Sequence, residues 1–325
     1  IPKILHSARM GGRYTIHQGS VIHLRSAAGI TIFNPNIERL KLNIDSIIGQ
    51  VDRVYTVNNG SENTAEINEL LSGYDKITHI ENEKNEGIAR ALNQMCAAAF
   101  YDGFDWILTL DQDSIAEAEL IKKYSRYTEM DGVAIITPYI DDENEPDIIN
   151  SNVKTPYEPV HRCYTSASFT KLSVWNEVGG FDDDMFIDCV DFDYCTAVEE
   201  AGYIILRDNE AVIKHCLGRA HEVRAFMPLG RLLHIPQLKR PMYTYNHPPL
   251  RTYYYARNIK YYTYKHRNSI DRFTEWRVYI KWLVLKLFFE DQKWAKLKAI
   301  IKGRHDGRKM IKKYKEKQKS RAKQQ

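Results

Sequence analysis

The chain has 325 residues, a formal net charge of +4 and five cysteines. Cys96, Cys163, Cys189, Cys195 and Cys216 form no C-x-x-C pair; so odd and scattered a set argues against a disulfide framework or a zinc site, and they read as reduced thiols of a cytoplasmic protein. No stretch offers about 18 uncharged apolar residues or the basic, apolar and small-residue succession of an export signal, so neither a membrane span nor secretion is expected.

Residues 1–25 follow no clear helical or strand period and stand outside the fold argument. The first credible strand, Gly29 to Phe33, ends in Asn34-Pro35-Asn36, which stops a strand and can cap a helix. Ile37, Leu40, Ile44, Ile47 and Ile48 then recur at helical spacing. The unit repeats: Val54 to Val57 closes on Asn58-Asn59-Gly60-Ser61, and Asn63 or Thr64 can cap a helix through Leu71. Ile77 to Ile80 predicts a third strand, followed by a helix from Gly87 to Tyr101. Strands alternating with helices imply a mostly parallel sheet covered on both faces.

The helix from Gly87 opens with Asn85-Glu86-Gly87-Ile88-Ala89-Arg90-Ala91-Leu92-Asn93. Free amides and the helix dipole suit such a start to a diphosphate, and close helix–sheet packing uses small residues equally well.

The fourth strand, Trp106 to Leu110, stops at Asp111-Gln112-Asp113-Ser114. Ligands of open α/β sheets bind outside the carboxyl ends of the strands. Side chains two apart along an extended segment share a side, so Asp111 and Asp113 could together hold a hard cation, magnesium or manganese. A solvated turn is the plainer reading of an isolated Asp-x-Asp.

A helix is expected from Glu117 to Tyr127, then strands at Val133 to Thr137 and Thr165 to Phe169 around a polar excursion, residues 141–159. A second acidic concentration follows, with Asp182, Asp183, Asp184, Asp188, Asp191 and Asp193 among aromatic residues. Crowded carboxylates near apolar walls have raised pKa values and can accept protons near neutrality, although Asp191 and Asp193 sit at a predicted helix start whose dipole opposes that rise. Asp182 or Asp183 reads as a cap. The strand from Ala211 to Lys214 ends at His215, which would supply a nitrogen ligand if it met Asp113.

Those motifs in that order, Asn85-x-Gly87 to Asn93, Leu108 to Ser114, Gly179-Gly180-Phe181-Asp182 with Phe186 to Cys195, and His215-x-x-Gly218, resemble glycosyltransferase family 2, and within it the bacterial rhamnosyltransferase-like branch. The resemblance implies a GT-A fold over residues 26–220, a nucleotide-diphosphate sugar donor, a divalent cation (Mg2+ or Mn2+) and an inverting displacement. Matched position by position, Asp111 and Asp113 become the donor and metal carboxylates, with Asp113 the better candidate for direct coordination and His215 completing the metal site. Asp191 becomes the general base. Asn34, Pro35, Asn58, Asn85 and Gly87 would line the nucleotide and diphosphate pocket, although many relatives carry an aspartate where this chain has Asn58.

Beyond residue 220 the character changes. Residues 221–302 interleave tyrosine and tryptophan with cations, and 303–325 form a basic tail with ten lysines and arginines against two acidic residues, net +8, which leaves the remainder at −4. Aromatic and basic helices suit a membrane interface, and the tail would add attraction to anionic lipid. Packing on the catalytic domain or on a second copy of the chain is an equal reading, and for the tail so is a solvated helix end. The resemblance favours dTDP-L-rhamnose as donor and a lipid-linked glycan of bacterial surface polysaccharide as acceptor, at the inner face of the cell membrane, with no nucleic acid expected. A UDP-sugar donor, or a non-catalytic module binding sugar nucleotides or polyanions, are the alternatives.

Overall fold

The computed structural model describes residues 24–142, 155–215, 221–236 and 239–324. Among these residues, eight strands form one sheet in the order β3-β2-β1-β4-β7-β5-β8-β6. They are β1 (Ser26–Ile32), β2 (Arg53–Asn59), β3 (Ile77–Asn82), β4 (Trp106–Asp111), β5 (Val133–Asp142), β6 (Tyr157–Val160), β7 (Ser168–Lys171) and β8 (Ile204–His215). β1 runs parallel to both β2 and β4, so the strand order reverses at β1 and opens a crevice at their carboxyl ends. β7 lies antiparallel between β4 and β5, and β8 is parallel to β5.

The alternation of side chains along each strand divides the core into two layers. Ala28, Ile30 and Ile32 of β1 and Leu108 and Leu110 of β4 pack against α1 (Ile37–Ile47), α2 (Thr64–Leu71) and α4 (Leu120–Tyr124). Ala27 and Ile107 face the other way, toward α3 (Ile88–Tyr101), α5 (Leu172–Val178) and α6 (Val190–Glu200). Asp111 shares the parity of Ile107 and so belongs to the side on which α6 lies. The expected first cap is present: the Asn36 side chain accepts from Arg39 N at 2.9 Å.

Two departures have local causes. The helix expected from Glu117 begins only at Leu120, because Glu119 takes a left-handed φ of 62°. β5 runs beyond its apolar core to Asp142, carried by its pairing with β8. The excursion after it falls mostly outside the described residues, as do residues 1–23, Cys216 and Gly218. The other four cysteines are free.

The C-terminal region packs on the layer that holds α3, α5 and α6. After a two-stranded piece, β9 (His221–Val223) with β10 (Met242–Thr244) and α7 (Met227–Leu232) between them, three helices follow. They are α8 (Pro249–Lys265), α9 (Arg272–Phe288) and α10 (Lys293–Gln324). α10 runs unbroken across Gly303, where the basic composition begins. It lies against α8, since a Cβ at Gly303 would stand 2.4 Å from the Tyr253 carbonyl oxygen and one at Gly307 2.7 Å from that of Arg257. Glycines four apart give α10 a smooth stripe for that approach. Among the described residues, no helix is long and apolar enough to cross a membrane.

Candidate active site

The turn after β4 is fixed from three elements. Gln112 clasps the backbone of Phe33, donating to its carbonyl at 3.1 Å and accepting from its amide at 2.7 Å. Asn43, a polar residue on the buried stripe of α1, donates to the carbonyls of Asp111 and Ser114. Arg39 Nε donates to the Asp113 carbonyl at 2.7 Å, and the Ser114 hydroxyl pairs with that of Ser166. Asp111 is partly buried and the Asp113 side chain is exposed at the mouth of the crevice. Sequence reading missed Arg39 and Asn43, and the signal for Asn43 was its place one turn from Leu40 inside the apolar stripe.

The ends of β1 to β3 hold the residues matched to the nucleotide pocket, and most of their polar atoms serve the fold. Exposed Asn34, at φ 46°, accepts from Glu62 N at 2.7 Å, and buried Pro35 accepts from Asn63 through its carbonyl. Asn58 is fully buried; its amide donates to Thr64 Oγ1 and its oxygen accepts from Ser61 N. Asn85 Oδ1 accepts from Gly87 N and from Asn59, whose amide also reaches the Gly87 carbonyl. Gly87, at φ 89°, admits the acidic loop: a Cβ there would fall 2.7 Å from the Phe186 carbonyl oxygen, which accepts from Ile88 N at 2.6 Å. The first amide of α3 is therefore spent within the protein. Asn93 holds the same loop, donating to the Phe181 carbonyl and to Asp183.

The acidic loop is clamped by α8. Phe186, Asp188 and Cys189 all carry left-handed backbone, at φ 62°, 65° and 63°. Such conformations cost about 1–3 kcal/mol each and persist only where the surroundings impose them. Asn258 imposes them, its buried amide donating to the carbonyls of Met185, Ile187 and Asp188 at 2.6, 2.7 and 2.9 Å. Arg257 adds bonds to the Asp184 and Met185 carbonyls, and Tyr254 stacks on Phe186 at 4.8 Å.

Cations from other elements then pair with most of the carboxylates. Lys265 Nζ lies 2.8 Å from Asp182 and 2.7 Å from Asp193, whose other oxygen is 2.9 Å from His266 Nε2. Arg90 reaches Asp183, Lys313 of α10 reaches Asp184, and Arg251 reaches Asp188 at 2.8 Å. Asp182 also caps the short 3-10 turn Asp183–Met185. Asp191 differs. Its carboxylate accepts from Phe192 N at 2.9 Å, and among the described residues no cation stands within ion-pair distance. Burial raises its pKa to about 7, the Asp188 and Asp111 carboxylates push the same way, and the Phe192 amide opposes. Burial thus outweighs the start of α6, and the residue keeps partial solvent exposure.

The residues at the end of β4 fit a hard divalent cation by the chemistry of their donors, two carboxylates at a strand end. His215 closes β8 at the same edge of the sheet, three strands from β4, and its side chain lies outside the described residues. Among the described residues, no three His, Cys, Asp or Glu side chains form a metal-binding group.

Known proteins match this architecture. The family model for glycosyl transferase family 2 matches residues 28–182. The dTDP-rhamnosyl transferase RfbF of Shigella flexneri is 27% identical over 245 residues, covering 71% of this chain and 77% of that protein. Among solved structures, the mannosyltransferase PcManGT of Pyrobaculum calidifontis, in complex with GDP-Man and Mn2+, superposes with a TM-score of 0.57 at 11% identity, covering 91% of this chain and 77% of that one. The likeness to the mannosyltransferase is one of fold. Together with the strand reversal at β1 and the acidic turn after β4, these matches show a glycosyltransferase of GT-A architecture, whose residues 28–182 match family 2 and which is similar to a bacterial rhamnosyltransferase.

Proposed function

We propose that the protein transfers L-rhamnose from dTDP-L-rhamnose to a lipid-linked glycan by a single inverting displacement, with Asp191 as general base. The observation that carries this reading is the isolation of Asp191: five carboxylates of the acidic loop meet cations, and the sixth has a pKa of about 7. A base poised near the working pH combines the right protonation state with a useful driving force for proton transfer. The choice of rhamnose rests on the activity named for the Shigella relative.

In this reading the nucleotide and diphosphate lie in the crevice bordered by Asn34, Pro35, Asn58, Asn85 and Gly87. Asp111 and Asp113 hold a divalent cation, with His215 as third ligand, and manganese accompanies the sugar nucleotide in the mannosyltransferase of similar fold. When bound, the cation offsets the negative charge that develops on the departing diphosphate. Asp191 takes the proton from the acceptor hydroxyl as that oxygen attacks the anomeric carbon. Gln112, Arg39 and Asn43 keep the turn bearing the carboxylates rigid, and Asn258 keeps the loop bearing the base in place.

Thermal stabilisation by nucleotides tests the donor. With manganese, dTDP and dTDP-L-rhamnose are expected to raise Tm, and ligand at a hundred times its Kd adds about 2.7 kcal/mol. Loss of the shift on chelation or in Asp113→Asn is expected. Stabilisation by UDP-sugars alone would replace the sugar, and no response to any nucleotide would contradict the donor reading.

The lipid-linked acceptor agrees with the surface of the C-terminal helices. Phe273, Trp276 and Ile280 share one face of α9 and are exposed, as are Phe288 and Trp294. Lysines and arginines alternate with them, an arrangement suited to the headgroup region of an anionic membrane at the cytoplasmic face. The full chain is expected to sediment with vesicles containing anionic lipid, and Trp276→Glu to weaken that binding severalfold. Equal recovery in the supernatant with and without vesicles would contradict the membrane reading.

A further inference from the structure

A cavity of about 270 Å3 lies between α8, α9 and β10, outside the crevice at the ends of β1 and β4. Asp188, three residues before Asp191, stands on its lining beside Arg251. Tyr243, His247, Tyr255 and Trp282 supply flat walls, with Trp282 packed at 4.5 Å on Tyr255. Aromatic faces beside a few polar groups are a usual lining for a small-molecule site.

The charge beneath those walls is unusual. Lys286, which lines the cavity, and Lys296 of α10 share one carboxylate: their ammonium groups lie 2.6 and 2.7 Å from opposite oxygens of Glu290. All three are nearly sealed from solvent, at 4%, 1% and 3% exposure for Lys286, Lys296 and Glu290. Thr244 and the Asn246 amide also donate to Glu290, while Asp291 is exposed and bonds Asn246. Among the described residues, two buried cations on one anion leave an excess positive charge, and Arg251 adds a buried Nε with no hydrogen-bond partner. The field reaches His247, whose pKa falls to about 4 through burial first and then through Arg251, Lys286 and Lys296. Buried charge uncompensated within a protein is costly unless something pairs with it.

We propose that this cavity is an acceptor subsite that takes a sugar ring bearing an anionic group, with the ring against the aromatic walls and the anion toward Lys286 and Arg251. The proposal rests on the reading of Asp191 as the base, because Asp188 and Arg251 join the cavity to that loop. Position favours phosphate as the anion. Phe288 and Phe289 follow Lys286 within one turn, Phe226 packs on Phe289 at 5.5 Å, and Leu229, Leu232 and Leu233 are exposed nearby in sequence. A lipid chain lying along such residues would bring its phosphate to the cavity and its sugar toward Asp191.

Trp282 provides the readout. The full chain, in chelator, is titrated with inorganic pyrophosphate and separately with glucuronate, and tryptophan emission is followed. Trp282→Phe identifies the reporting ring. A saturable change with pyrophosphate is expected, with Kd raised at least tenfold in Lys286→Met and in Arg251→Gln. Lys286→Arg, which keeps the charge, and Asp111→Asn, on the donor side, should retain wild-type Kd. Saturation by glucuronate alone would support the anion site and assign its charge to an acidic sugar. Failure of both probes, or an unchanged Kd in folded Lys286→Met and Arg251→Gln, would overturn the proposal. Because no turnover is involved, a failed titration leaves the role of Asp191 standing, and an active Asp191→Asn leaves the titration interpretable.

Discussion

Asp191→Asn is expected to lower turnover by about 100- to 10,000-fold, the range general base catalysis contributes, in a chain that remains folded. The amide keeps the shape of the side chain and its bond from Phe192 N but has no affinity for the acceptor proton. Stability should move the opposite way. The folded pKa, about 7, exceeds the ordinary value of 3.8, so between those values the folded chain retains a proton that the unfolded chain releases. Stability therefore falls as pH rises from about 4 to 7, and above pH 7 the charged side chain is a burden. The Asn variant is expected to melt higher than the wild type at pH 8. Wild-type turnover, measured as donor consumption, would remove Asp191 from the chemistry.

The second large effect is structural. Lys265→Met leaves Asp182 and Asp193 without their shared cation, and Asp193 is almost wholly buried. Breaking a buried pair by deleting one partner costs about 3–5 kcal/mol, which denaturant unfolding would register directly. Its pH dependence has two limbs. Burial pushes the Asp182 carboxyl up, but Lys265 and Tyr261 hold it below its ordinary 3.8, so its contribution is present above that value and lost as pH falls. Burial lowers His266, but Asp193 and Glu200 carry it above its ordinary 6.5, so its contribution is full below 6.5 and lost as pH rises through the raised value. The cluster should thus stabilise the wild type most between about pH 4 and 6.5. A Met variant as stable as wild type in that window would show that the loop does not depend on α8.

These two residues also mark the boundary of what the sequence discloses. The β-α repeats, the arrest of β4 at Asp111 and the cap at Asn36 depend on neighbours a few positions apart, and local period reveals them. The six aspartates were visible as a group, but which one lacks a cation is decided by Arg90, Arg251, Lys265 and Lys313, residues remote in the chain. No spacing rule connects them. The Asn85 to Asn93 motif illustrates the same difficulty: its glycine and its Asn93 serve the approach of the acidic loop, a packing role that a phosphate cradle would signal with similar residues. In the C-terminal region the aromatic and basic composition of α8 left open whether it met lipid or protein, and its polar side chains are engaged with the loop. Gly303 and Gly307, four apart, were the available sign that the basic tail is a packed helix.

The central claim, that the clamped loop presents one ionisable base, is tested most directly by the pH dependence of kcat/KM for dTDP-L-rhamnose. The acidic limb is predicted to fall tenfold per pH unit below an apparent pKa near 7, the value that burial gives Asp191. A profile that stays flat down to pH 5 would contradict it.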